Sequence, residues 1–413
     1  MILPSISVLA NIVLRGLTVA SKYVLLVFLI NHLDMYSYGE YSLINSIVAL
    51  GIYFIGLDFY TFYSRDLINK DRSTWFSNLF PLVFIYLAIG VLFIFGLFIA
   101  IFFFEYVRSA YFLVLSILVV FEFFSQELSR VMMLLGRSLI INIGLFVRSA
   151  LWIYPYIFLA KSNSIEGGLL DLLLFWLIGN LVNIILSLFI LKKDLKTSLK
   201  FKFEGFTYFK AGIPTSIKYL VSSITLKIVF VLDKFFLSFF WGAKEVGVYS
   251  YYYVVVMTVQ TFFELSIMTI LIPKLLSGER LIVSKAFYSL KNYLVYTIFL
   301  SVPTLFFGFK YLSSYMIDGN KILIYNDRLL LVFLGILVAQ LLCTYPHYKL
   351  YRDKLDNEII VSSILSLFVF LILCPILSKN YSILGVAWSV LIFFLVQFFV
   401  KLYYVIKLES SSE

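Results

Sequence analysis

Residues 79–103 read LFPLVFIYLAIGVLFIFGLFIAIFF, an apolar run without a single charged side chain. The hydrocarbon core of a bilayer is about 30 Å thick and an α-helix rises about 1.5 Å per residue, so about 20 such residues cross it. Outward from this run, eleven more of similar character follow, which places spans near 7–30, 40–63, 79–103, 109–133, 139–160, 170–191, 212–239, 246–272, 287–308, 327–348, 358–377 and 383–405. The composition agrees: 62% of the 413 residues are hydrophobic and 14% charged, against about 45–50% and about 25% in a soluble domain. Aromatic residues reach 19%, with 44 Phe and 30 Tyr, which suits lipid-facing surface and interfacial positions. The expected fold class is an all-α integral membrane protein of about twelve transmembrane helices.

The net charge of +10 is a matter of topology. Lys and Arg concentrate in the loops after even-numbered spans and in the C-terminal tail, among them Arg65, Lys70, Arg130, Arg137, Lys192, Lys193, Lys285, Lys349, Lys401 and Lys407. Loops after odd-numbered spans hold few, such as Arg108, Lys161 and Lys244. Basic loops stay on the cytoplasmic side, so both termini are expected there, and nucleic acid is not an expected partner. No basic segment leads into a short apolar core with a small-residue cleavage site, so the first run is expected to be a retained helix. Cys343 and Cys374 both lie in apolar segments, which speaks against a disulfide framework or a zinc site.

The longest polar cytoplasmic stretch, Lys192 to Lys210, divides the chain almost equally. It reads as a linker over 193–211 between six-helix halves at 1–192 and 212–413. The halves echo one another: Tyr38-Gly39-Glu40-Tyr41-Ser42 and Val246-Gly247-Val248-Tyr249-Ser250 each open a second helix, Arg137 matches Arg352, and Lys192 matches Lys407. An even number of helices per half makes these parallel repeats, an arrangement that places a transporter's site between the halves.

At helices 7 and 8 the sequence resembles a polysaccharide flippase of the Wzx type, in the multidrug/oligosaccharidyl-lipid/polysaccharide (MOP) exporter superfamily. Gly212-Ile213-Pro214 opens helix 7, Asp233 lies near its outer end, Gly242 and Val246-Gly247-Val248-Tyr249 form the outer turn, and Pro273 ends helix 8. The Gly39-Glu40-Tyr41 turn and Arg65 also fit, while Asp58, in Gly56-Leu57-Asp58, departs from the pattern. The resemblance implies two six-helix bundles arranged as a V around a central cavity. It also implies a polyprenyl-pyrophosphate-linked oligosaccharide repeat unit as cargo, O-antigen or lipopolysaccharide biosynthesis as context, and residence in a bacterial inner membrane. A polysaccharide polymerase and glycosyltransferases would be its pathway partners.

Cations inside spans are the residues to explain, since each costs about 2.5–3.5 kcal/mol at mid-membrane on insertion scales. Arg15, Lys22, Arg148, Lys218 and Lys227 are such residues. At helical spacing Asn11, Arg15, Thr18 and Lys22 form one stripe, and Lys218, Ser222, Thr225 and Asp233 form another, with Lys227 pointing away from it. One reading makes these cations a basic cavity for the pyrophosphate, with Arg supplying a fork and Lys a point charge. The other has each neutralise an internal carboxylate such as Asp58, Glu122, Glu127, Asp233 or Glu264, pinning helices together. Lys234, near the end of helix 7, reads as a snorkelling anchor.

Internal acids also raise the possibility of coupling to H+ or Na+. Glu264, with no cation one turn away, is the preferred coupling residue; Asp233, Asp58 and Glu122 are further coupling or gating candidates. Glu127 and Arg130 are spaced for a structural ion pair. Neither a cofactor nor a metal site is expected, with His32 and His347 near opposite faces. The absence of a Walker A motif removes ATP-driven transport by this chain alone. Of the alternatives, a drug/cation antiporter would favour an acidic cavity. A glycan polymerase, the enzymatic option, would call for a larger external loop than the one from about Phe309 to Asn326. The expected protein is therefore a transporter and not an enzyme. Alkaline phosphatase fused after Lys161 should be active in cells and inactive when fused after Lys192 or Lys407; the opposite pattern would invert the assigned topology.

Overall fold

The computed structural model describes residues 6–67, 75–198, 204–275, 279–315 and 326–410, and no strand occurs among them. The helices in order are α1 (Ile6–His32), α2 (Met35–Gly56), α3 (Phe59–Leu67), α4 (Trp75–Phe104) and α5 (Phe112–Leu134). They continue with α6 (Ser138–Phe146), α7 (Ile153–Lys161), α8 (Leu169–Ser198), α9 (Glu204–Trp241), α10 (Ala243–Phe263) and α11 (Thr269–Leu275). The last three are α12 (Arg280–Tyr315), α13 (Asp327–Arg352) and α14 (Asp356–Ser410). Two π-helical turns, Val147–Leu151 and Glu264–Met268, interrupt the segments α6–α7 and α10–α11.

Among the described residues nine helical segments are long and apolar enough to cross a membrane. The chain is a multi-pass membrane protein. Two of the twelve expected spans, 358–377 and 383–405, lie together in α14, which breaks at Ser382 with φ 52° and ψ −131°. The spans expected over 212–239 and 246–272 fall in α9 and α10–α11. The span expected over 40–63 is divided, because Leu57 and Asp58 both take positive φ, at 46° and 50°. The Leu57 N–H closes α2 by donating to the Tyr53 carbonyl at 2.9 Å. Asp58 therefore marks a helix break.

The chain forms two compact units, Met1–Ile224 and Thr225–Glu413, with the division inside α9. In the first unit α5 is central. Leu115, Leu118, Val119 and Phe123 recur at helical spacing and are fully buried, and Glu122 shares their face. Their neighbour α8 turns inward a stripe of Trp176, Asn180, Asn183 and Ser187, spaced four, three and four apart. In lipid such polar side chains bond across helices because no water is available to them. Gly179 brings α8 against the α6–α7 segment: a Cβ there would lie 2.5 Å from Trp152 Cδ1. At the aqueous edge Asp34 caps α2, accepting from the Ser37 N–H at 3.0 Å. A hydrogen bond from the Ser37 side chain, helped by this backbone bond, holds its carboxyl below its ordinary value.

In the second unit α14 doubles back at Ser382 and packs closely on α13. Ser362, Ser363, Ser366, Ser378 and Ser389 are buried along it, small residues of the kind that let membrane helices approach. The turn tolerates only glycine at 385, where a Cβ would stand 1.9 Å from the Leu377 carbonyl oxygen. Gly385→Ala should thus cost about 1–3 kcal/mol, seen as a lowered melting temperature in detergent. Gly96→Ala, in α4 with nothing within 4 Å, should leave the melting temperature unchanged; equal effects would refute the close contact.

Candidate functional site

A buried polar cluster of the first unit is centred on Glu122 of α5. Arg148 Nη1 donates to Glu122 Oε1 at 3.2 Å, while Trp176 Nε1 and Asn180 Nδ2 donate to Oε2 at 3.0 and 2.7 Å. The Arg148 and Glu122 side chains are only 11% and 12% exposed. Three donors from two other helical segments thus converge on one carboxylate, and one of them carries the compensating charge. A buried charge is tolerable only when paired and hydrogen-bonded in this way.

Arg148 owes its position to the π-helical turn Val147–Leu151. Such a turn inserts one residue into an α-helix and disturbs its hydrogen-bond ladder. Here Trp152 compensates locally, its indole Nε1 donating to the Arg148 carbonyl at 3.0 Å. The turn leaves one consequence unrelieved: Arg148 Nε is buried with no hydrogen-bond partner among the described residues. One edge of the guanidinium is engaged and another is not.

The stripe expected on α1 lies partly alongside this cluster. Lys22 is exposed and within electrostatic reach of both Glu122 and Arg148. Arg15, also exposed, donates from Nε to Asn142 Oδ1 at 3.1 Å, and Asn142 Nδ2 donates to Asn11 Oδ1 at 2.8 Å. Thr18 is buried and returns its hydroxyl to the Leu14 carbonyl at 2.8 Å. Arg15, Lys22 and Arg148 therefore all belong to the first unit. The Lys218 side chain lies outside the described residues. Lys227, in the second unit, is exposed.

The acids have distinct surroundings. Asp233 is fully buried, accepting from the Tyr249 hydroxyl at 2.8 Å and from the Lys234 N–H at 2.6 Å. Lys234 does not snorkel: it is buried, with Nζ bonded to the Phe230 carbonyl at 2.6 Å and set 5.0 Å from the Tyr253 ring centroid. A carboxylate one residue away and an aromatic face let the ammonium stay inside. Glu264 opens the second π-helical turn, is exposed, and accepts from Gln260 Nε2 at 2.8 Å. Asp58 sits at the α2–α3 break, within electrostatic reach of Arg130. Arg130 pairs with Glu127, which also accepts from the Tyr63 hydroxyl at 2.8 Å.

Two features escaped the sequence reading. Trp176 and Asn180 hold Glu122 in place, and the four-residue step between them on α8 was the available signal. Lys401, counted above among cytoplasmic cations, is buried between helices, its Nζ 3.4 Å from His347 Nδ1 and 3.6 Å from Cys343 Sγ. It lies about two and a half turns before the end of α14 at Ser410, so position along the sequence alone placed it in water.

No protein-family model and no curated protein matches the sequence. Among solved structures, the lipid II flippase MurJ in its inward closed conformation superposes with a TM-score of 0.61 at 18% identity, over 97% of this chain and 87% of that one. The chain has the MurJ fold. A eukaryotic MATE transporter, AtDTX14, aligns with a TM-score of 0.47 at 12% identity, over 96% of this chain and 92% of that one.

The Arg148 and Glu122 pairing makes a thermodynamic prediction. Arg148→Met should destabilise the protein by about 3 kcal/mol, because it strands a buried carboxylate. Adding Glu122→Met should recover most of that loss. Additive effects of the two substitutions in detergent melting would show that the pair is not coupled.

Proposed function

We propose that this chain is a flippase of the MOP superfamily, of the Wzx type. It moves a polyprenyl-pyrophosphate-linked oligosaccharide repeat unit from the cytoplasmic to the external leaflet of a bacterial inner membrane. The observation that carries the reading is Arg148, an arginine in mid-helix whose buried Nε has no hydrogen-bond partner among the described residues. A guanidinium with an open edge suits an anionic group able to accept two parallel N–H bonds, and Lys22 and Arg15 extend the positive charge along α1. The MurJ fold supports the reading, since the protein with that fold is itself a flippase of a lipid-linked substrate.

On this reading the head group enters from the cytoplasm, its pyrophosphate meets the cations, and the lipid tail remains in the bilayer. Alternating access carries it outward. No covalent bond is made or broken, so the chain acts as a transporter, with a polymerase and glycosyltransferases of the same pathway as partners. Glu264, exposed on its π-helical turn, is proposed as the group coupling the cycle to H+ or Na+. Asp233 and Asp58 are assigned gating roles.

A strain lacking the gene should accumulate lipid-linked oligosaccharide and lose surface glycan, with rescue by wild type and not by Arg148→Glu. Unchanged surface glycan together with new drug sensitivity would replace this reading with drug or cation export.

A further inference from the structure

Positive charge also gathers in the second unit, on α11 and α12. Leu271 and Leu275 of α11 and Val283, Ala286 and Leu290 of α12 are buried, and the two helices pack on one another. Beside that contact lies a cavity of about 590 Å³, within the range of about 300–1,000 Å³ usual for small-molecule sites. Lys274 of α11 and Lys285 of α12 both line it, and both are exposed. Neither has a hydrogen-bond or ion-pair partner among the described residues, and none of the residues lining the cavity is acidic. Two other cavities, one beside Arg328 and Trp388 and one beside His32 and Lys161, each hold a single Lys or Arg.

The remaining walls divide by polarity. Ile270 and Ile282 make the flanks apolar, while Tyr293 brings a hydroxyl with no partner among the described residues. The Ser289 hydroxyl is already engaged, donating to the Lys285 carbonyl at 2.9 Å. A snorkelling lysine needs only water at its tip, whereas two unpaired ammonium groups sharing one partly apolar cavity repel each other until an anion joins them. A small free anion would satisfy the charges and leave the apolar walls uncovered. A lipid phosphate satisfies both, because its acyl chains continue along the isoleucines. We propose that this cavity binds an anionic glycerophospholipid of the adjacent leaflet, its phosphate held by Lys274 and Lys285 and the first carbons of its acyl chains against Ile270 and Ile282.

The location agrees. The cavity lies at the end of α12 that the basic loops are expected to keep cytoplasmic, and basic pockets between membrane helices on that side suit anionic head groups. A zwitterionic lipid brings its own ammonium to the phosphate and so gains less from the two lysines. Each cation near the membrane surface contributes roughly a 5-fold preference for anionic lipid, and the pair roughly 30-fold. The site does not depend on the flippase reading, since none of its residues belongs to the Arg148 cluster.

The test uses the full chain, stripped of co-purified lipid in detergent, with phosphatidylglycerol, phosphatidylcholine and inorganic phosphate as probes and native mass spectrometry to measure the first lipid bound. Wild type should bind phosphatidylglycerol more tightly than phosphatidylcholine. Lys274→Ala or Lys285→Ala should weaken phosphatidylglycerol binding roughly 5-fold and the double substitution roughly 30-fold, while Lys274→Arg combined with Lys285→Arg should keep it. Lys407→Ala, which removes an exposed cation elsewhere, and Arg148→Gln should both bind as wild type does, which separates this site from net charge and from the cargo site. Excess inorganic phosphate should leave the lipid bound; release by phosphate alone would overturn the lipid assignment in favour of a simple anion site. Equal binding of the two lipids by wild type, or equal binding of phosphatidylglycerol by wild type and the double alanine variant, would overturn the proposal. Both lysines are exposed, so the variants should fold, and an unchanged melting temperature in lipid-free detergent checks that they do.

Discussion

A polar group inside a bilayer has no water to fall back on, and this constraint governs the first unit. Glu122 could not occupy the buried face of α5 without three donors, and supplying them places specific residues on two other helical segments. Arg148 reaches it from a π-helical turn, and that turn in turn depends on Trp152 to satisfy the carbonyl it disturbs. Trp152 packs where only glycine fits, at Gly179 of α8. The close approach of α8 then sets Trp176 and Asn180 against the same carboxylate. Charge, helix irregularity and helix contact are one connected arrangement.

The second unit meets the same constraint with less charge. Asp233 takes a tyrosine hydroxyl and its neighbour's N–H, and Lys234 shelters between that carboxylate and an aromatic face. Lys401 is bonded, among the described residues, to the His347 nitrogen and the Cys343 sulfur and to no carboxylate. Both are soft or neutral acceptors. The serine-rich α14 lets this region pack tightly, with Gly385 permitting the chain to double back at Ser382. The π-helical turn at Glu264 leaves that acid exposed, in contrast to Glu122, which a similar irregularity helps to bury. Glu264 accepts from Gln260 one turn earlier on its own helix, and Glu122 accepts from donors on two other segments.

The all-helical membrane architecture was legible because long apolar runs have few other solutions. Breaks inside those runs were less so. Leu57 and Asp58 adopt positive φ without being glycine, and a leucine gives no sign of that conformation. The candidate cations were identifiable from their expense in lipid, yet their partners were not. Arg148 and Glu122 stand 26 residues apart on different helices, and only packing brings them together. The α8 stripe of Trp176, Asn180, Asn183 and Ser187 went unread because a periodic polar face has a purpose only beside its neighbour. Lys401 and Lys234 were misplaced for the same reason: both lie close enough to helix ends to suggest water, while their side chains turn inward to specific acceptors.

The central claim is that the cations of the first unit receive an anionic, lipid-linked head group. Native mass spectrometry of the chain extracted from its own membranes tests this most directly, by identifying what remains bound. The account predicts a pyrophosphate-linked saccharide on an isoprenoid chain, retained by wild type and absent from Arg148→Gln. A protein that carries only bulk phospholipid, or an amphiphilic cation indifferent to Arg148, would contradict it.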